Sequence, residues 1–302
     1  ITAWSPTRWK ARAAHSQVMQ GKIPVQVRYE KVEAMSKSAG EEHPSIWDYP
    51  EFYELLLQAP DSQINAEIST IVTLLKGHEI RSGRVLEIGC GPAAHCIELA
   101  KRGFAVVGLD RSPAMLQRAQ QKEEAEGVSL ALHCRDATSF NIPEDAFDCV
   151  IFMSETFPLV RTDEALLSHF ASVRAVLRPG GLYIVDIDRS KEGVGVDRSI
   201  TEIQSAMTAD GIKVEYWLES YPGDWVTGSG HLAIVCRFDD GKRTVETRDE
   251  WRPRRDCPTH LTWLIRSLPD WELVGFFSPM DGQSQIEHFD HYFMMVKAID
   301  TP

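Results

Sequence analysis

Apolar positions along this chain recur with two alternating periods, and that alternation predicts the architecture. From Asp61, a capping residue, Ile64, Ile68, Ile71 and Leu75 fall on one helical stripe. Arg84–Ile88 then reads as a short buried strand ending at Gly89-Cys90-Gly91. A helix from about Ala93 to Arg102 follows, then a strand over Phe104–Leu109 that ends at Asp110. Ser112 and Pro113 supply an N-cap and a first helical residue for a helix reaching Gly127. Further strands are expected near Ser129–His133, Phe147–Met153 and Leu182–Ile187. Between the last two, Thr162 caps a helix with Leu166, Phe170, Val173 and Leu177 at helical spacing, and Pro179-Gly180-Gly181 is expected to stop it.

Five βα alternations imply an α/β fold with a mostly parallel sheet and helices on both faces. After residue 190 the period changes. Residues 213–219, 230–238 and 243–251 alternate like half-exposed strands, and Asp240-Gly241 is a hairpin turn signal. This segment is expected to be an antiparallel insertion that covers the active-site edge or serves as a homodimer contact. A helix near 259–268 and strands near 271–277 and 290–297 would bring the main sheet to seven strands. The predicted organisation is an arm or lid over 1–45, a Rossmann-like core over 46–190, the insertion over 191–252, and a C-terminal helix and strand pair over 253–302.

Composition narrows the function classes. The 302 residues are 43% hydrophobic and 25% charged, ordinary globular values, and no uncharged apolar run approaches a membrane span. A formal net charge of −12 argues against a general nucleic-acid surface, which relies on concentrated Lys and Arg. The six cysteines form no C-x-x-C pair, as expected of reduced core thiols. The first 40 residues are basic, with Arg8, Lys10, Arg12, Lys22, Arg28, Lys31 and Lys37 against Glu30 and Glu33, and no apolar leader core is expected there. A cytoplasmic location is expected, with an organelle address as the other reading of that arm.

The candidate chemistry lies at the ends of the first two strands. Glycines there permit a tight turn and close backbone approach to a ligand, and Asp110 is placed to accept hydrogen bonds from ribose hydroxyls. Gly89-x-Gly91-x-x-Ala94 also fits a loose dinucleotide fingerprint, which leaves an NAD(P)-dependent oxidoreductase open. Glu87 weighs against it, because a carboxylate two residues before the first glycine repels a pyrophosphate and suits a cationic amino-acid ligand.

Taken together, Val85–Pro92, Val107–Leu116, Arg135-Asp136-Ala137, Phe147–Ile151 and Leu177–Gly181 resemble, in order and spacing, the motifs of class I S-adenosylmethionine (SAM)-dependent methyltransferases. The resemblance runs from about Trp47 to Ile187 and resumes weakly in the last fifty residues. It implies SAM as cofactor and S-adenosylhomocysteine (SAH) as product. Gly89 and Gly91 would then pack against the methionine part, and Glu87 would steer its amino group. Asp110 would hold the ribose, with Arg111 and Met115 in the same segment. Asp136 would meet the adenine amino group beside the Ala137 backbone, and Met153 would offer its carbonyl to the amino group. Tyr49 would lie over the cofactor.

The acceptor side is less defined. Ser154-Glu155-Thr156-Phe157-Pro158 lacks the Asn/Asp-Pro-Pro-aromatic sequence of many base-amino methyltransferases, so a small molecule is expected rather than nucleic acid. Glu155, Asp188 and His231 are the candidate catalytic groups, with Tyr221 beside them. An amine nitrogen is the expected acceptor, since a neutral amine needs no strong base whereas a hydroxyl must lose a proton. An O-methyltransferase and a non-catalytic SAM-binding module are the other readings. Asp186 and Asp188 lack a clear third ligand in the sequence, so no metal is expected.

Overall fold

The computed structural model describes residues 45–143, 146–154, 156–188, 199–208, 211–224, 229–251, 258–279, 281–282 and 291–300. The arm over 1–44 and Glu155 therefore lie outside the described residues. The chain divides into two compact units, one of them parallel α/β and the other antiparallel.

The α/β unit begins with α2 (Asp61–Gly77), following a helix α1 (Pro50–Leu56) that belongs to the other unit. It continues with β1 (Arg84–Ile88), α3 (Ala94–Lys101), β2 (Ala105–Asp110), α4 (Pro113–Glu126), β3 (Leu130–Cys134), β4 (Phe147–Phe152), α5 (Asp163–Val176) and β5 (Leu177–Asp188). After the antiparallel strands β6 to β10, α6 (Pro258–Ser267), β11 (Trp271–Phe277) and β12 (His291–Ala298) finish it. The seven strands lie in the order β11-β12-β5-β4-β1-β2-β3, with β12 antiparallel to both its neighbours. The order reverses between β1 and β4, the switch point beside which open α/β sheets bind ligands.

Local chemistry explains the elements. Ser112 Oγ accepts the Met115 N–H at 3.2 Å and Gly127 closes α4 with φ +66°, while Thr162 Oγ1 accepts the Ala165 N–H at 3.1 Å. The α2 stripe is buried as patterned. Strand alternation sends Leu86, Ile88, Val150, Phe152, Tyr183 and Val185 into one core with α5 and α6. Pro179-Gly180-Gly181 differs from expectation. The helix stops at Val176, but the triplet lies inside β5, where Gly180 has φ +77° and the register against β4 shifts. A bulge accommodates proline and glycine that a regular central strand would exclude.

The antiparallel unit contains β6 (Ser199–Ile200), β7 (Gln204–Met207), β8 (Lys213–Asp224), β9 (Ser229–Asp239) and β10 (Thr244–Trp251). Strands β10, β9, β8 and β6 pair in that order, and β7 also pairs with β8. At the β9–β10 turn, Asp240 Oδ1 accepts the Lys242 and Arg243 N–H groups at 2.8 Å each, and Gly241 takes φ +84°. One face buries Val214, Tyr216, Ile234, Cys236, Phe238 and Val245 against Ile46, Phe52 and Leu56. The rings of Phe52 and Phe238 lie 4.5 Å apart. Asp249 fixes the chain entering this layer, accepting from Ser45 Oγ at 2.6 Å and the Ile46 N–H at 2.9 Å. Residues 46–60 therefore group with the antiparallel strands, whereas the sequence pattern had placed them in the core.

Candidate functional site

Three left-handed residues shape the turn after β1: Gly89 at φ +64°, Gly91 at φ +52° and Ala93 at φ +61°. A Cβ on Gly89 would approach Phe152 Cε2 and Thr156 Cγ2 to 3.2 Å, whereas one on Gly91 would meet nothing within 4 Å. The first glycine is thus favoured by its left-handed backbone and by tight packing beneath the turn, and the second forms its open crest. The Cys90 N–H donates to the Leu109 carbonyl at 3.0 Å, drawing the turn against β2.

Asp110 holds the two strand ends together. Its Oδ2 accepts the Gly91 N–H at 2.9 Å and its Oδ1 accepts the Ser112 N–H at 2.8 Å. Each carboxylate oxygen keeps a second acceptor direction. Burial raises the Asp110 carboxyl above its ordinary value, against the lowering effect of those two backbone bonds. Arg111 is exposed, and its carbonyl accepts from Cys134 Sγ at 3.5 Å; Met115 is buried in the first turn of α4.

Beyond β3, Asp136 Oδ1 accepts from the Thr138 N–H at 2.7 Å and Oγ1 at 2.6 Å, bonds that hold its carboxyl below the usual range. The Ala137 carbonyl is bonded by His169 Nδ1 at 2.7 Å, and His169 Nε2 meets Tyr183 Oη at 2.6 Å. Burial lowers His169 to about 4, so the ring is neutral, donating to Ala137 and accepting from Tyr183. Sequence reasoning missed His169, which anchors the turn expected to receive an adenine.

Glu87 departs from its expected role. It points beneath the glycine turn, with Oε1 3.1 Å from His95 Nδ1 and Oε2 accepting from Cys96 Sγ at 2.9 Å. On its other side His95 Nε2 lies 3.1 Å from Glu67 Oε2. Burial opposes charge on the ring, yet the Glu87 charge and the bonds to both carboxylates push His95 up to about 10. Glu67 likewise resists burial: the bond and charge of His95 hold its carboxyl below the ordinary value. The signal was present in the sequence, because Glu67 is an acid on the buried stripe of α2 between Ile64 and Ile71.

The Met153 carbonyl also differs from expectation. It accepts from Thr156 Oγ1 at 2.9 Å and from the Thr156 N–H at 3.3 Å, so both its lone pairs already have donors. Ser154 next to it adopts φ +57°, a left-handed conformation uncommon for serine and frequent at functional edges.

Of the residues expected to serve the acceptor, Asp188 ends β5 and pairs in register with His291. Tyr49 and His231 belong to the antiparallel unit. Tyr49 stacks near Phe52 at 6.1 Å. His231 stacks on Tyr221 at 4.6 Å and its Nε2 lies 3.3 Å from Glu250 Oε2. Tyr221 in turn donates to Glu219 and accepts from Arg248.

A crevice at the β1–β4 switch, a left-handed glycine turn and a carboxylate closing the second strand define a nucleoside-binding α/β protein. Residues 85–181 match the family model described as a methyltransferase domain. The chain is 28% identical over 199 residues to a methyltransferase of Geobacillus sp. (strain WCH70), covering 66% of this chain and 75% of that one. It is 35% identical over 159 residues to the phosphatidylethanolamine N-methyltransferase of Cereibacter sphaeroides, covering 51% and 72%. Other relatives are named as N- or O-methyltransferases, and the chain spans 38% to 56% of their length. In fold, a SAM-dependent methyltransferase of Clostridium acetobutylicum ATCC 824 superposes with a TM-score of 0.69 at 16% identity, covering 83% of this chain and 98% of that one. The chain belongs to the class I SAM-dependent methyltransferases that act on small molecules. That membership sets the NAD(P) reading aside.

The donor set fits SAM. The open crest at Gly91 leaves room for the methionine part, and Asp110 retains acceptor capacity for ribose hydroxyls. Among the described residues, no helix is long and apolar enough to cross a membrane.

Proposed function

We propose that this enzyme methylates the nitrogen of a small-molecule amine. The observation that carries SAM use is the Gly91–Asp110 hydrogen bond, which joins the glycine turn to the residue suited to the ribose. The nitrogen acceptor is supported by the N-methyltransferase name of the Cereibacter sphaeroides relative. SAM, when bound, supplies a methyl group already activated by its sulfonium. The chain then has to bind, align and exclude water, and alignment contributes roughly 7–11 kcal/mol in favourable cases.

In this reading Gly89 and Gly91 line the methionine part and Asp110 holds the ribose. Asp136 and the Ala137 backbone flank the adenine, with Arg111 and Met115 close by and Tyr49 as an aromatic contact. Glu155, Asp188 and His231 serve the acceptor. An amine enters neutral and gives up one proton after transfer, so these groups orient it and receive that proton. Glu87 acts from beneath the turn, because its two oxygens already accept from His95 and Cys96.

Methyl-labelled SAM incubated with panels of small primary and secondary amines, phenols and thiols tests the assignment. Label is expected in amine products, with one SAH formed per methyl. Label confined to phenols would replace the proposal with O-methylation, which the names of the ubiquinone-biosynthesis relatives favour. Tight SAM binding without transfer to any panel member would point to a binding module.

A further inference from the structure

The buried Glu67–His95–Glu87 chain holds more charge than packing requires. Glu67 comes from α2, His95 from the first turn of α3 and Glu87 from β1, and their exposures are 4%, 5% and 1%. Each ring nitrogen faces a carboxylate at 3.1 Å. A neutral imidazole would turn one lone pair toward an anion, so the imidazolium is the form this geometry accommodates. The outer oxygens are also satisfied. Glu67 Oε1 accepts from Gln63 Nε2 at 2.7 Å, and Glu87 Oε2 accepts from Cys96 Sγ.

Two carboxylates and one imidazolium leave one net negative charge directly under the glycine turn. Among the described residues whose charge bears on these groups, none supplies a net positive charge to cancel it. Asp110 on β2, Cys90 in the turn and Cys96 on α3 contribute no positive charge, and His291 on β12 is paired with Asp186 on β5. Apolar side chains of similar volume would stabilise the fold at least as well as such a buried ionic group. The excess charge therefore points to a cation brought by the ligand.

We propose that Glu67 is a positioning residue that sets the preference of the site for cationic SAM over neutral SAH, acting through His95 and Glu87. SAM carries one net positive charge and SAH carries none, the difference being the sulfonium. The triad accordingly holds the charged cofactor and loosens its grip once the methyl group has left. This inference rests on the SAM-binding reading above.

Calorimetric affinities for SAM and SAH in wild type, E67Q, E67D and E67Q/H95Q test it, with melting curves to establish folding. E67Q neutralises the triad and is expected to lower the SAM:SAH affinity ratio on the order of tenfold, the scale of one unit charge acting over ~10 Å at an effective dielectric of ~20. E67D keeps the charge and should keep the ratio. E67Q/H95Q leaves Glu87 as the single charge and should restore a ratio near wild type; if E67Q alone does not fold, E87Q reaches the same net charge from the other end of the triad and should lower the ratio in the same way. Equal weakening of both ligands in folded E67Q, an unchanged ratio, or a ratio still lost in E67Q/H95Q would overturn the proposal. Failure of wild type to bind either ligand would instead overturn the SAM reading.

Discussion

Replacing Asp110 with alanine removes two kinds of interaction that can be measured separately. The first is internal: the Gly91 and Ser112 N–H groups lose a shared carboxylate acceptor at 2.9 and 2.8 Å. A hydrogen bond to a charged group is worth about 1.5–3 kcal/mol, and the two donors share one part-buried acceptor, so a stability loss of about 2–4 kcal/mol is expected by urea denaturation. The second is the ribose contact, which uses the remaining acceptor directions and should cost another ~1.5–3 kcal/mol of cofactor binding. Calorimetry with SAH should then show affinity falling roughly ten- to a hundredfold at a temperature where the variant is folded. D110N keeps one acceptor oxygen but presents an amide N–H₂ to the second backbone donor, so it should fall between wild type and alanine in both measurements. A folded D110A that is less stable yet binds SAH as wild type does would refute the ribose role and leave Asp110 only as a brace for the turn.

Two other perturbations follow from the same geometry. His169 is neutral because burial lowers it to about 4, below its unfolded value near 6.5, so its stabilising contribution is complete above about pH 6.5 and is lost as pH falls toward 4. That shift is worth on the order of 3 kcal/mol, and H169F should be less stable at pH 7 yet lose little further stability between pH 6.5 and 4 by chemical denaturation; an acid limb identical to wild type would contradict the assignment. At Gly108 a Cβ would come within 2.8 Å of Cys90 Sγ and 2.9 Å of Leu132 Cδ2, so G108A should lose about 1–3 kcal/mol, of which G108A/C90A recovers part. An unfolding midpoint for G108A equal to wild type would show that the turn shifts at no cost.

Elements whose signals are local were legible from the chain. Ser112, Thr162 and Gly127 state helix ends through their own side chains or backbone, and the α2 stripe states its buried face. The β1 turn was equally readable, because Gly89 and Gly91 answer to local backbone geometry. What escaped depends on distant partners. Glu67 and His95 are 28 positions apart, and Ala137 and His169 are 32 apart, so only the crossing of α2 over α3 and of α5 over the sheet brings them together. Glu87 and Met153 were assigned free groups, since nothing nearby in sequence announces that His95, Cys96 and Thr156 already bind them. The bulge at Pro179-Gly180-Gly181 was concealed for a related reason: a helix-stop signal and a bulge signal use the same residues.

Asp148, at the opposite end of the sheet, ties three strands at once. From β4 it accepts the Arg84 N–H of β1 at 2.8 Å and Arg178 Nε of β5 at 2.6 Å, and its carboxylate occupies the space a side chain at Gly83 would need. The central strands are thus pinned at the rim remote from the ligand crevice. Exchange of the loops at the chemical rim, whether by natural drift or by deliberate grafting, would leave that anchorage untouched, so selectivity toward new acceptors can be sought there while the scaffold keeps its register.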